Sequence, residues 1–337
     1  MKNFLLYSIQ FLFVISFYFI VDNDLVLAQK TNFGIDNITK ITLIANDDVI
    51  LKVSPDNPFH PGGIWYKAMT YNGTLPGPAI HVNQGDILEV TLINSGDNVH
   101  SMNFHAAYGF HQSTTGPVKP GEKKTLVMKL DYPGAYLYHC DGDNLNGIWE
   151  HMSSGMYGGI IVHPVNETPA KEFDIVFGEI YNNADEGFFK GSKEIGSFDF
   201  NKFLSNKPDL ILTNGMAYKY MPRLSGQFSS IILNEESEIF HADEGELTRW
   251  YIINAGPRGY LSFNFAGTLI DETQDNIIMQ NNQSKSLKKI KIYETIIPPG
   301  SGSVIEVTFP EDGTYVGNDH DIGRLISGAG FVVEVKN

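Results

Sequence analysis

One cysteine, Cys140, is all that this chain of 337 residues contains, so no intrachain disulfide can form and the thiol requires another use. Basic side chains are also scarce: 24 Lys and Arg stand against 39 Asp and Glu, a formal charge of −15. A nucleic-acid binder needs a basic surface, so phosphate backbones are excluded as partners. Charged residues make up only 19% and hydrophobic ones 42%. That supplies sizeable cores and excludes a disordered or low-complexity chain. Long amphipathic helical patterns are missing, and beyond the first 28 residues no apolar run is long enough to span a membrane.

The one long apolar stretch, Phe4 to Val21, follows Lys2 and precedes Asp22-Asn-Asp24 and Leu25-Val-Leu-Ala28. That order predicts a signal peptide over residues 1–28 and an exported protein, whether periplasmic, pseudoperiplasmic or extracellular. The run also reaches the lower limit for a membrane span, so an uncleaved anchor is the alternative. After it, glycine (33) and proline (16) punctuate short β-rich runs such as Ile87-Leu-Glu-Val-Thr-Leu-Ile93 and Val304-Ile-Glu-Val-Thr-Phe309. Strands at this spacing predict an all-β sandwich or barrel.

An internal repeat narrows the fold further. Gln84-Gly-Asp-Ile-Leu-Glu-Val-Thr-Leu-Ile-Asn-Ser-Gly96 is matched by Glu244-Gly-Glu-Leu-Thr-Arg-Trp-Tyr-Ile-Ile-Asn-Ala-Gly256. Pro133-Gly-Ala-Tyr136 is matched by Asp312-Gly-Thr-Tyr315, and Ser154-Gly155 by Ser327-Gly328. Two copies of one β-sandwich are therefore expected, over 37–165 and 171–337, joined by a linker at 163–170. His81 and His241 fall at matching repeat positions, which favours a structural role for both.

Chemistry concentrates in the first copy. Cys140 ends the run Ala135-Tyr-Leu-Tyr-His139, His151 lies eleven positions on, Met156 five beyond that, and His100 upstream. A thiolate, two imidazoles and a thioether on neighbouring β-loops are the ligand set of a blue-copper centre. Each residue taken singly has a blander reading, a buried Cys or a gap-filling Met. Strand parity adds a second site, because His139 faces away from the side that Cys140 faces. His105, five residues after His100, falls on that same far side. His105 and His139 should converge behind the first site, one ligand short of an open three-ligand metal centre, with the Cys140–His139 bond as the electron path between the two.

These motifs resemble a two-domain multicopper oxidase of the copper-containing nitrite reductase type, over essentially all of residues 37–337. The residues that carry the resemblance are Asn72-Gly-Thr-Leu-Pro-Gly-Pro78, His100-Ser-Met-Asn-Phe-His105, Tyr138-His-Cys140 and His151-Met-Ser-Ser-Gly-Met156. It implies two tandem cupredoxin-like Greek-key sandwiches and one type 1 and one type 2 copper per subunit. His100, Cys140, His151 and Met156 would hold the type 1 copper. His105 and His139 would hold the type 2 copper with His320 of the adjacent subunit in a homotrimer. A small redox protein would donate electrons and a small molecule or anion would be the substrate.

The second repeat offers Tyr260, Asp319 and Ala329 where the first has His100, Cys140 and Met156, so it should hold no type 1 copper. The ten histidines contain no His-x-His pair, which excludes the trinuclear cluster of laccases. Two positions depart from the resemblance. Asn103 and Asn264 stand where that family's proton-delivering aspartate and histidine would be, and an amide cannot supply those protons. Asp321, beside His320, is a candidate substitute, and His111 a candidate lining residue of the type 2 pocket. The expected activity is NO-forming nitrite reduction. The alternative is a related oxidase acting on hydroxylamine, nitric oxide, a phenol or a metal ion.

Overall fold

The computed structural model describes residues 29–31, 38–143, 145–184, 195–223, 232–235, 237–273 and 289–337. The expected signal segment, 1–28, lies outside them. Among the described residues no helix is long and apolar enough to cross a membrane.

In the first half, one sheet orders the strands Ile64–Tyr71, Ile38–Ser54, Ile87–Asn94 and Lys123–Lys129. A facing sheet orders Ile80–Asn83, Tyr157–His163, Gly134–His139 and Asn103–Phe104. Alternation along Ile87–Asn94 sends Leu88, Val90 and Leu92 inward, as a period of two requires. They pack with Leu43, Phe104, Tyr138 and Ile160 in one core that also contains Cys140 and Met156. Each such side chain contributes about 1.5–3 kcal/mol by leaving water, so the ligand loops rest on a rigid floor.

The second half repeats this connectivity. Leu247–Asn254 pairs antiparallel with Ser301–Thr308, as Ile87–Asn94 pairs with Lys123–Lys129. Phe240–Asp243 runs parallel to Gly330–Lys336, as Ile80–Asn83 does to Tyr157–His163. Even single loop bonds recur: Cys140 N donates to Met156 O at 3.1 Å, and Asp319 N to Ala329 O at 3.1 Å. The repeat read from the sequence is therefore a repeat of backbone hydrogen bonds. The second core is aromatic, built around Trp250, Phe263, Phe265, Phe309 and Phe331.

A third cluster joins the two halves: Ala135, Leu137, Ile161, Val176, Tyr251 and Ile253. The backbones come so close there that a Cβ at Gly302 would sit 2.4 Å from the Ala135 carbonyl oxygen. Helices are short, four to six residues, as the lack of amphipathic patterns implies. Asp199 and Asp321 cap two of them, each accepting two backbone N–H bonds.

One irregularity positions the site. The pairing between Ile38–Ser54 and Ile64–Tyr71 shifts register between Asn46 and Val49, and Asp48 takes a left-handed φ of 58°. A bulge of this kind re-aims a side chain. Here it turns Asp47 into the loop that carries His100.

Candidate metal centres

Cys140 follows the last residue of the Gly134–His139 strand, and its thiol is fully buried. Two backbone amides donate to Sγ, Ser101 N at 3.2 Å and Gly142 N at 3.3 Å. His151 Nδ1 lies 3.3 Å from the sulfur and His100 Nδ1 3.8 Å, with 3.2 Å between the two nitrogens. His151 sits on the Ile148–Ser153 helix, which Gly147 introduces with φ 103°. Met156 is buried, donates its N–H to His151 O and accepts from Cys140 N. One methionine backbone thus ties two of the candidate ligands together.

Electrostatics favours a thiolate here. Burial pushes the Cys140 thiol up, but hydrogen bonds and charge from His100 and His151 outweigh it and bring the thiol down to about 6. Burial likewise opposes charge on His100, and Asp47 and Cys140 reverse this, raising it to about 9. The far ring nitrogen of His100, Nε2, donates to Asp47 Oδ1 at 2.9 Å, which leaves Nδ1 aimed at the sulfur. Asp47 also accepts from Asp97 N at 2.6 Å and Asn98 N at 2.9 Å. Gly96 is glycine because a Cβ there would lie 2.5 Å from Asp47 Oδ2 and 3.0 Å from His100 Nε2. Three soft or borderline donors within 4.8 Å of one another, all buried, fit copper by the chemistry of the set.

The opposite side of the strand end presents the second pair. His105 Nδ1 donates to Gly300 O at 2.8 Å, and His139 Nδ1 lies 3.3 Å from Asp141 Oδ1. The two Nε2 atoms are left facing each other at 3.0 Å. Burial pushes His105 down, and burial with the facing His105 pushes His139 down to about 4. Both rings are therefore neutral at pH 7, the form that binds a metal. The parity argument reached this convergence, although the regular strand there is only Asn103–Phe104 and His105 lies just past it.

The remaining candidates are dispersed. His320 is held in the second half by Glu294, Nδ1 to Oε2 at 2.7 Å, and is nearly half exposed. Within this chain it does not join His105 and His139. Asn103 Nδ2 donates to Asp141 Oδ2 at 2.9 Å. Asn264 is buried on the Leu261–Ala266 strand, and its Oδ1 has no hydrogen-bond partner among the described residues. Asp321 is engaged as the cap of Ile322–Ile326. Asp141, not Asp321, is the carboxylate that touches both Asn103 and His139. A cavity of about 350 Å³ opens beside them, lined by Asn103, Asp141, Ser101, Thr115, Leu145 and His111.

The second sandwich carries an ion cluster at the matching place. Asp319 corresponds to Cys140, and Glu179 accepts from Arg258 N and Gly259 N much as Asp47 does from Asp97 N and Asn98 N. Arg324 bridges the two buried carboxylates, at 2.6 Å from each. A guanidinium serves there where the first sandwich converges on a thiol.

Sequence reasoning missed Asp47 and Asp141. Asp141 had a signal, its place beside Cys140. Asp47 had none, since it lies 53 residues from the imidazole it holds.

A family model described as multicopper oxidase matches residues 52–167. A copper-containing nitrite reductase of Neisseria meningitidis is 30% identical over 273 residues, covering 79% of this chain and 63% of that protein. The chain thus spans under two thirds of the length of that relative. A copper nitrite reductase structure from Nitrosomonas europaea matches with TM-score 0.71 and 28% identity, over 89% of this chain and 94% of that one. A blue copper oxidase from the same organism matches with TM-score 0.63 at 19% identity, over 88% of this chain and 85% of that one, a likeness of fold alone. The expected cupredoxin-like all-β architecture is the architecture of these neighbours.

Proposed function

For a chain that carries a multicopper oxidase domain at 52–167 and whose relatives are copper-containing nitrite reductases, we propose a copper-dependent oxidoreductase that reduces nitrite to nitric oxide. His100, Cys140, His151 and Met156 are the type 1 ligands. His105 and His139, with His320 of the adjacent subunit of a homotrimer, are the type 2 ligands. When bound, copper supplies one-electron redox chemistry at the first set and an open position for a small anion at the second.

The observation that carries this reading is the pair of donor sets at one strand end, joined by the single peptide bond between His139 and Cys140. Ser101 N and Gly142 N donate to the sulfur, which keeps that end of the electron path in place. Nitrite reduction consumes one electron and two protons and releases nitric oxide and water. Asn103 cannot supply those protons. Asp141, bonded to Asn103 and next to His139, is the nearest carboxylate that could hold one.

The amides at 103 and 264 favour a second reading, a related oxidase acting on hydroxylamine, nitric oxide, a phenol or a metal ion. The signal segment 1–28, the domain limits 37–165 and 171–337, export and a small redox donor protein belong to the same proposal. The test is turnover of nitrite and of hydroxylamine by the copper-loaded protein with nitric oxide detection. Two coppers per chain are expected, with a strong visible band that Cys140→Ser abolishes while the second copper stays. Zinc alone, or four coppers per chain, would overturn the assignment. So would a monomer by light scattering that retains the second copper in full.

A further inference from the structure

Outside the two sets described, His81, His163 and Glu172 bring donor atoms within 4.8 Å of one another. We propose that they form a third metal site, for a divalent cation of zinc(II) type, at the seam between the sandwiches. His81 Nδ1 and His163 Nε2 face each other at 3.0 Å. Each ring's other nitrogen is held by a carboxylate: His81 Nε2 by Asp174 Oδ2 at 2.8 Å, and His163 Nδ1 by Glu167 Oε2 at 2.8 Å. Carboxylates accept only, so both outer nitrogens carry hydrogens, and in the neutral rings both inner nitrogens present lone pairs. Two lone pairs at that separation repel unless a metal ion or a shared proton lies with them.

His105 and His139 show a related arrangement, inner nitrogens 3.0 Å apart and outer ones facing the Gly300 and Cys140 carbonyl oxygens. Carboxylate-held imidazoles such as His81 and His163 recur around metals because the carboxylate fixes the tautomer and raises basicity. Glu172 supplies the third donor, oriented through one of its oxygens, Oε1, by Tyr251 OH and Arg249 Nη1, each at 3.0 Å. Glu167, Glu172 and Glu306 pair with that one guanidinium and Asp174 pairs with His81, so the local balance favours a dication. Asp174 Oδ1 is buried with no hydrogen-bond partner among the described residues. His81 is about one-third exposed, which leaves an entry path. Among the described residues the matching repeat residue, His241, pairs with Glu334 alone, at 3.6 Å, so the cluster has no counterpart at the matching place in the second copy. A metal here would tie the Ile80–Asn83 and Tyr157–His163 strands to Lys171–Ile180, across the connecting segment.

The test is equilibrium dialysis of the copper-loaded protein against zinc(II), counting zinc at constant copper. One additional zinc per chain is expected. It should be lost in His81→Gln and His163→Gln and bind ~10–100-fold more weakly in Asp174→Asn. Zinc should also raise the melting temperature of the unmodified protein and not that of His81→Gln. Circular dichroism checks that each variant is folded. Should one unfold, zinc-edge anomalous scattering from soaked wild-type crystals decides, with a peak between His81 and His163 expected. No zinc beyond the copper sites would overturn the proposal and leave the rings sharing a proton. Undiminished zinc in His81→Gln, or a peak elsewhere, would overturn it too.

Discussion

Replacing Asp47 with alanine should loosen the copper without touching a ligand. The carboxylate is 7% exposed and the His100 ring fully buried. The substitution removes four hydrogen bonds: His100 Nε2 at 2.9 Å, Asp97 N at 2.6 Å, Asn98 N at 2.9 Å and Asn98 Nδ2 at 3.2 Å. Asp97 and Asn98 are exposed, so water can satisfy their donors and that part of the loss is small. His100 Nε2 cannot be rehydrated in place, and an orphaned buried donor costs about 1–3 kcal/mol. Adding the lost charge-assisted bond, we expect about 2–4 kcal/mol of destabilisation before copper is added. With the imidazole free to rotate, copper affinity at the thiolate should fall ~10–100-fold, or about 1.4–2.7 kcal/mol. The assay is competition with a chelator followed by the visible band, alongside urea unfolding of the copper-free protein. Asp47→Asn keeps an acceptor and should show a smaller loss in both. An Asp47→Ala protein that holds copper within twofold of wild type would refute the reasoning.

If Asn103 and Asn264 limit proton delivery, Asn103→Asp combined with Asn264→His should raise nitrite turnover at least ~10-fold, a barrier change of about 1.4 kcal/mol; no gain would remove nitrite as the preferred substrate. Arg324→Met strands Glu179 and Asp319, both buried, and should cost about 3–5 kcal/mol in denaturant unfolding, whereas a loss below ~1 kcal/mol would show that the carboxylates find other partners. Burial pushes the His60 imidazole down to about 4, so the unfolded chain takes up a proton that the folded one refuses. Stability tied to His60 is therefore complete above pH 6.5 and is lost as pH falls toward 4, by roughly 3 kcal/mol at most. His60→Gln should flatten that acid limb in urea midpoints measured from pH 7 to 4.5, and an unchanged slope would contradict it.

The chain order alone determined the all-β class and the doubled sandwich, and it named the His100, Cys140 and His151 side chains that the fold brings together. These are legible because they depend on short-range regularities. Period-two alternation in Ile87–Asn94 and its counterpart Leu247–Asn254 marks buried strands. Cys140, His151 and Met156 lie within one segment between consecutive strands of the sheet, and strand parity at His139–Cys140 separates two faces without reference to the rest of the fold. What only tertiary structure decided involves residues far apart in sequence. Asp47 reaches His100 because a bulge shifts the register between Asn46 and Val49. Arg324 finds Glu179 across 145 positions, and His81 finds His163 across 82. No periodicity encodes such pairs, because a polar side chain's partner depends on sheet register and on which strands the folded chain brings side by side. Asp321 shows a role that proximity in sequence does not reveal. Proximity to His320 made it a candidate proton donor, and the start of a five-residue helix claimed its carboxylate for two backbone amides.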